Sequence, residues 1–149
     1  FAKLADEYSN ASNGEIPAET VNQMKELESA GWWNNVDFTS DPDQIKWSYF
    51  ILDARYSSEH IGVYEGACGY SKGIWTPTWK SIMKGNSEQF NASSREAIWI
   101  RAQSISNGSE WYYDRDAFDD FTAYDLSTSV PQTRADVSGH ILPPPPVVR

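Results

Sequence analysis

Val63–Met83, VYEGACGYSKGIWTPTWKSIM, is the stretch that most limits what this chain can fold into. Gly66, Gly69 and Gly73 punctuate it, and Pro77 denies a central-strand hydrogen bond to the piece it closes. Ile61–Glu65 reads as a short strand and Ile74–Thr78 as a second extended piece, with Cys68 a small packed residue in the Gly-flanked turn between them. Ser81–Asn86 makes a tight turn directly after.

Helical patterns flank this stretch on both sides, so the class is α+β, mostly helices with short strands and long loops. Phe1–Tyr8, FAKLADEY, opens without a cap or turn, and Phe1 and Leu4 fall at i, i+3; it reads as the last turns of a helix that starts upstream. Val21, Met24, Leu27 and Ala30 predict a helix over Thr20–Ala30 with Gly31 as its cap. Asp41, Pro42 and Asp43 form a helix start for Pro42–Asp53, which carries Ile45, Trp47, Phe50 and Ile51. Ser93 and Glu96 form a capping-box pair opening the clearest helix, which Asn107-Gly108 ends. Trp111–Tyr124 predicts a further short helix. Residues 1–128 read as one domain portion, and 129–149, with the run Pro143–Pro146, as a tail or interdomain linker.

With 149 residues the chain can bury roughly 70% of its unfolded surface. Twelve basic against 21 acidic residues, a net charge of −9, exclude a nucleic-acid backbone as partner. No apolar run reaches the ~20 residues a membrane helix needs, so no membrane partner is expected. Cys68 is the only cysteine, which rules out an internal disulfide. The sequons Asn10-Ala-Ser, Asn91-Ala-Ser and Asn107-Gly-Ser fit a secreted eukaryotic protein, although a chain rich in Ser and Asn produces such matches by chance as well.

The chemistry-bearing residues are few. Asp6-Glu7 followed by Tyr8 is an acidic pair of the type that ligates metals, although such pairs more often sit on a solvated surface. His60 and His140 are the only histidines and lie 80 positions apart, so no zinc site with two or three histidines can be assembled from this chain. Glu59-His60 reads as a surface pair beside a strand. Glu65 and Tyr70 stand in the Gly-rich turn, either projecting into a cleft or buried and hydrogen-bonded. Trp32, Trp33, Trp75 and Trp79 are candidates for an aromatic platform.

FAKLADEY resembles the segment that directly follows the HExxH zinc helix in the IgA-peptidase-like zinc metallopeptidases. NVDFTSDPDQIKW (Asn35–Trp47), GVYEGACGYSKGIWTPTWKSIM (Gly62–Met83) and FNASSREAIWIRAQ (Phe90–Gln103) resemble further blocks of that family in the same order. The resemblance implies the C-terminal part of a zincin, metzincin-like catalytic domain whose HExxH ligands and general base precede Phe1. It implies a zinc-dependent endopeptidase acting on a polypeptide substrate, secreted or at the cell surface, with further domains in the full protein and an inactive fragment on its own. A third zinc ligand would come from Asp6 or Glu7, with Glu7 slightly favoured, and Tyr8 would orient that carboxylate. Ser81-Ile82-Met83 resembles the methionine turn of metzincins, with Met83 a thioether floor; Tyr70 would stabilise an oxyanion and Glu65 would support a ligand or that Tyr. The chain departs from the metzincin HExxHxxGxxH pattern in carrying Ala2 and Ala5 at the Gly and final His places, and Thr76 stands where the family pattern has Arg. A different class of function, a non-catalytic peptide- or glycan-binding module built on the aromatic residues, is the alternative expectation.

Overall fold

A two-residue turn fixes the hairpin of the fold. Cys68 and Gly69 both hold positive φ, 52° and 79°, the combination that matches the twist of an antiparallel pair. The computed structural model describes residues 3–128, with side chains as far as Ala123; His140, Pro143–Pro146 and the whole expected tail 129–149 lie outside the described residues. The elements run α1 (Ala18–Glu28), α2 (Ser48–Ile51), β1 (Tyr64–Ala67), β2 (Tyr70–Thr76), α3 (Ala92–Asn107) and α4 (Arg115–Thr128). This is an α+β arrangement with one small antiparallel sheet. No described helix is long and apolar enough to cross a membrane.

The turn sets the register: Ala67 faces Tyr70, Glu65 faces Trp75 and Tyr64 faces Thr76. The first strand therefore begins later than its composition predicts, and the second begins earlier and stops before Pro77. A bulge falls between Glu65 and Ala67. The far edge of β2 is held by two passing segments: Ile16 donates to the Lys72 carbonyl at 3.0 Å, and Asp37 and Trp75 exchange backbone bonds of 3.1 and 2.8 Å. Ile16, Val36, Ala67, Ile74 and Ala5 close the core at this point, with Val21 and Met24 of α1 and the Tyr70 ring packed against them.

Residues 3–8 are not helical, contrary to the reading from Phe1 and Leu4. Their backbone groups go outward instead of four residues back. Lys3 carbonyl accepts from Trp33, Asp6 carbonyl from Cys68 and Tyr8 carbonyl from Gly69, while Glu7 N–H donates to Met83 carbonyl. Burial alternates accordingly, with Ala5 and Glu7 inside and Asp6 and Tyr8 outside, which is the period of an extended strand.

The expected helix over Pro42–Asp53 forms only as the single turn α2. Asp37 Oδ2 captures the Lys46 N–H at 2.9 Å, and Lys46 Nζ is pulled to Glu28, Trp33 carbonyl and Val36 carbonyl at 2.6–3.1 Å. The chain is thereby bent at the point where a helix would propagate. Trp47 and Phe50 remain fully buried in spite of this, so the apolar pattern finds its core without the helix. In α1 the ends fall at Ala18 and Glu28, two residues before the expectation, and Gly31 closes the helix as expected: it holds φ 78°, its N–H donates to the Glu28 carbonyl at 2.9 Å and Trp32 N–H donates to the Leu27 carbonyl at 3.4 Å. For α3 the cap is Asn91, whose side chain accepts from Ser94 N–H. Ser93 donates instead to the Asn34 carbonyl at 2.7 Å, and Glu96 accepts from the hydroxyls of Tyr49 and Tyr113, so the expected capping box is absent. Glu59 is no surface bystander: it pairs with Arg95 at 2.5 Å and accepts from Ala92 N–H at the start of α3.

The chain divides into two compact units, Phe1–Tyr113 and Asp114–Arg149. In the second, Asp114 accepts from Asp116 N–H at 3.0 Å, which starts α4 later than Trp111, and Arg115 pairs with Asp119 at 3.0 Å one turn along.

Gly66 sits at the bulge with φ 108°, and a Cβ there would lie 2.7 Å from Ser9 Cβ. Gly66→Ala is expected to lower stability by roughly 2–3 kcal/mol. Gly85→Ala, at φ 71° with nothing within 4 Å, is expected to cost only about 1 kcal/mol. Urea midpoints of the two variants check this; equal losses would show that Ser9 does not press on the bulge.

Candidate functional site

Glu7 is fully buried, and three neutral side chains meet its carboxylate. Asn35 Nδ2 donates to Oε1 at 2.9 Å. Asn91 Nδ2 lies 2.9 Å from Oε1 and 3.2 Å from Oε2, and 3.2 Å from Thr78 Oγ1. Ser81 Oγ donates to Oε2. Each donor is itself fixed. Asn35 clamps Ala5 from both sides, accepting its N–H and donating to its carbonyl at 2.8 Å. Asn91 Oδ1 holds the α3 N-terminus, and Ser81 Oγ accepts from Lys84 N–H at 3.2 Å in the turn Ile82–Lys84. Burying a carboxylate is costly unless its lone pairs are met, and here polar groups from three separate loops meet them.

Asp6 points the other way. It is exposed, and Oδ1 accepts only the local Tyr8 N–H at 2.8 Å. Tyr8 is 54% exposed. Lys84 donates to the Glu7 carbonyl at 3.2 Å; burial pushes its ammonium below the ordinary lysine value, and the carboxylates of Glu7 and Asp6 pull it back up. Burial raises the Cys68 thiol to about 11, helped by the same two carboxylates. Tyr8, Ser9, Glu65, Trp79, Lys84 and Asn86 surround a cleft of about 170 Å³ whose floor is Glu7.

Of the residues singled out from sequence, Glu7, Tyr8 and Glu65 come together at this cleft, with Asp6 on the same strand. Met83 reaches them through its backbone carbonyl, while its side chain lines a separate apolar cavity with Leu4, Phe90, Ile98 and Ile105. Tyr70 packs against the core around Ile74. The four tryptophans do not share a cleft: Trp32 and Trp33 pack edge to face at 4.9 Å, Trp75 lines a groove beside α1, and Trp79 alone of the four lines the cleft at Glu7. Asn35, Ser81, Asn91 and Lys84 were not recognised in the sequence as neighbours of Glu7, although Ser81 was named for its turn and Asn91 for its sequon. They stand 28, 74, 84 and 77 residues from Glu7, and spacing carries no trace of their meeting. Among the described residues no three His, Cys, Asp or Glu side chains gather to hold a metal ion. Of the acidic pair, Asp6 is the carboxylate left accessible to an external ligand.

Asn91→Asp keeps the cap on α3 but sets a second carboxyl against Glu7. The introduced group is held protonated by its neighbour, so its contribution is present at low pH and lost as pH rises through the carboxylate range. Stability of the variant relative to the parent is expected to fall by on the order of 3 kcal/mol between about pH 4 and pH 7. Urea unfolding across that range checks it, and a pH-independent difference would mean that Asn91 does not face Glu7. For Cys68, alkylation of the native chain at pH 8 is expected to run at least about tenfold slower than in urea, and its rate to keep climbing above pH 10; a plateau near pH 9 would contradict the raised thiol. No family model and no curated protein matches the chain.

Proposed function

We propose that the chain is the C-terminal part of a zinc-dependent endopeptidase domain, and that Lys3–Tyr8 is its metal-facing strand. The observation that supports this is the convergence on Glu7. Each of the four blocks whose order resembles the IgA-peptidase-like family contributes one residue to the same buried carboxylate cluster: Glu7, Asn35, Ser81 and Asn91. A shared order of blocks with no common fold would give no reason for them to meet.

The division of labour within the acidic pair follows from access. Both Glu7 oxygens are engaged by buried donors, whereas Asp6 is exposed. The ligand role therefore falls to Asp6, reversing the preference drawn from sequence, and Glu7 becomes the residue that positions it. Zinc, when bound, supplies a Lewis acid that polarises a peptide carbonyl and acidifies a water. Asp6 supplies the charge, Tyr8 N–H orients one of its oxygens, and Asn35 holds the strand straight at Ala5. Packing of the Tyr70 ring on the core favours a structural part for it over oxyanion stabilisation. An extracellular location, a polypeptide substrate and further domains belong to the same proposal.

A non-catalytic peptide-binding module is the second reading, favoured by Trp79 at 68% and Tyr8 at 54% exposure around the cleft. One experiment separates them. A polypeptide that includes the residues encoded before Phe1 is expected to bind one zinc per chain and to cleave unfolded protein in a chelator-sensitive way. Asp6→Asn is expected to reduce zinc affinity by more than the roughly 10–100-fold typical of residues behind the ligands. Elemental analysis showing no zinc in the longer polypeptide hands the assignment to the binding module.

A further inference from the structure

We propose that the cleft between Tyr8 and Trp79 is a subsite for a cationic side chain, an arginine or lysine of a polypeptide. This deepens the endopeptidase reading, on which the identification of the ligand as a substrate side chain rests. At about 170 Å³ the cleft is smaller than the roughly 300–1,000 Å³ pockets that enclose whole small molecules, and suits one side chain.

Its chemistry follows from which groups are already engaged. Glu7 is satisfied by Asn35, Asn91 and Ser81. The Asn86 amide is used at both ends, accepting from Ser81 N–H at 3.0 Å and donating to the Trp79 carbonyl at 3.2 Å. What remains to a ligand is mainly acceptor and ring surface. Glu65 is exposed, and only Oε1 is occupied, by Gly73 N–H at 3.0 Å. Ser9 adds a hydroxyl. Tyr8 and Trp79 present exposed rings, and Tyr64 backs Trp79 with ring centroids 6.3 Å apart. A ring face beside an unfilled carboxylate oxygen is the complement of a planar guanidinium, which stacks and donates at once. Lys84 is the one cation lining the cleft among the described residues; it is turned to the Glu7 carbonyl at 3.2 Å and flanked by the Glu7 and Asp6 carboxylates, which offset its charge. A ligand cation therefore meets more negative than positive charge.

The test uses the 149-residue chain and blocked amino acids: the N-acetyl methylamides of arginine, of citrulline, its uncharged near-isostere, and of glutamate. The readout is the indole N–H resonance of Trp79, assigned through Trp79→Phe. Arginine is expected to shift that resonance saturably and to bind roughly two- to fivefold tighter than citrulline, the size of one exposed charge pair. Glu65→Gln, which keeps an oxygen for Gly73 N–H, is expected to bring arginine down to the citrulline level. Equal binding of arginine and citrulline, tighter binding of glutamate, or a Trp79 resonance that none of the three moves would each overturn the subsite. The two proposals fail separately. Arginine binding here with no zinc in the longer polypeptide sinks the endopeptidase reading alone. Proteolysis by the longer polypeptide with no bias for basic residues, and none altered by Glu65→Gln, sinks the subsite alone.

Discussion

One buried carboxylate ties distant segments of the first unit to each other: Glu7 gathers Asn35, Ser81 and Asn91. No ion pair meets the Glu7 carboxylate among the described residues; neutral amides and a hydroxyl take its oxygens, while nearby Lys84 bonds to its backbone carbonyl. Those donors are spent on Glu7, and each also organises something else: Asn35 holds the extended segment at Ala5, Asn91 starts α3 and Ser81 closes the turn after β2. Removing one partner leaves another buried polar group unmet, and such losses cost more than the bond itself is worth. Loops with little regular structure acquire a fixed geometry in this way.

The alternation of the extended segment Lys3–Tyr8 converts that internal order into a surface. Because Glu7 faces in, Asp6 and Tyr8 must face out. The cleft owes its position to the same constraint, since Lys84 is anchored to the Glu7 carbonyl and the loop bearing Trp79 is tied down by Asn86. Most of the cleft's wall is thus set by backbone-directed bonds, and its aromatic rings are left available.

Local signals were legible wherever the chain decides its own conformation. Gly66, Gly69 and Gly73 marked the hairpin, Asn107-Gly108 ended α3 and the turn at Gly85 formed as read. Glu7, Tyr8 and Glu65 were recognised as residues of interest and do gather at one place, whereas Asp6 does not line that cleft. What escaped was tertiary. Phe1 and Leu4 imitate a helical face, but Asn35, Cys68 and Met83 claim the backbone of that segment. Asp37 likewise takes the Lys46 N–H and interrupts a helix whose start signals were sound. Which of Asp6 and Glu7 is buried depends on side chains far off in sequence, which no spacing rule reaches.

Asn91 carries a last consequence. Its Asn-Ala-Ser triplet is an acceptor for N-linked sugar, yet in the fold the residue is 3% exposed and its amide nitrogen is spent on Glu7 and Thr78. A glycan on that nitrogen and the folded protein are mutually exclusive. In a host that attaches sugars to the nascent chain, two processes compete for one nitrogen: the transferase must act before α3 docks, and docking hides the acceptor for good. Every molecule modified at that position is lost to the folded pool, so the yield of native protein there is governed by a race between assembly and glycosylation.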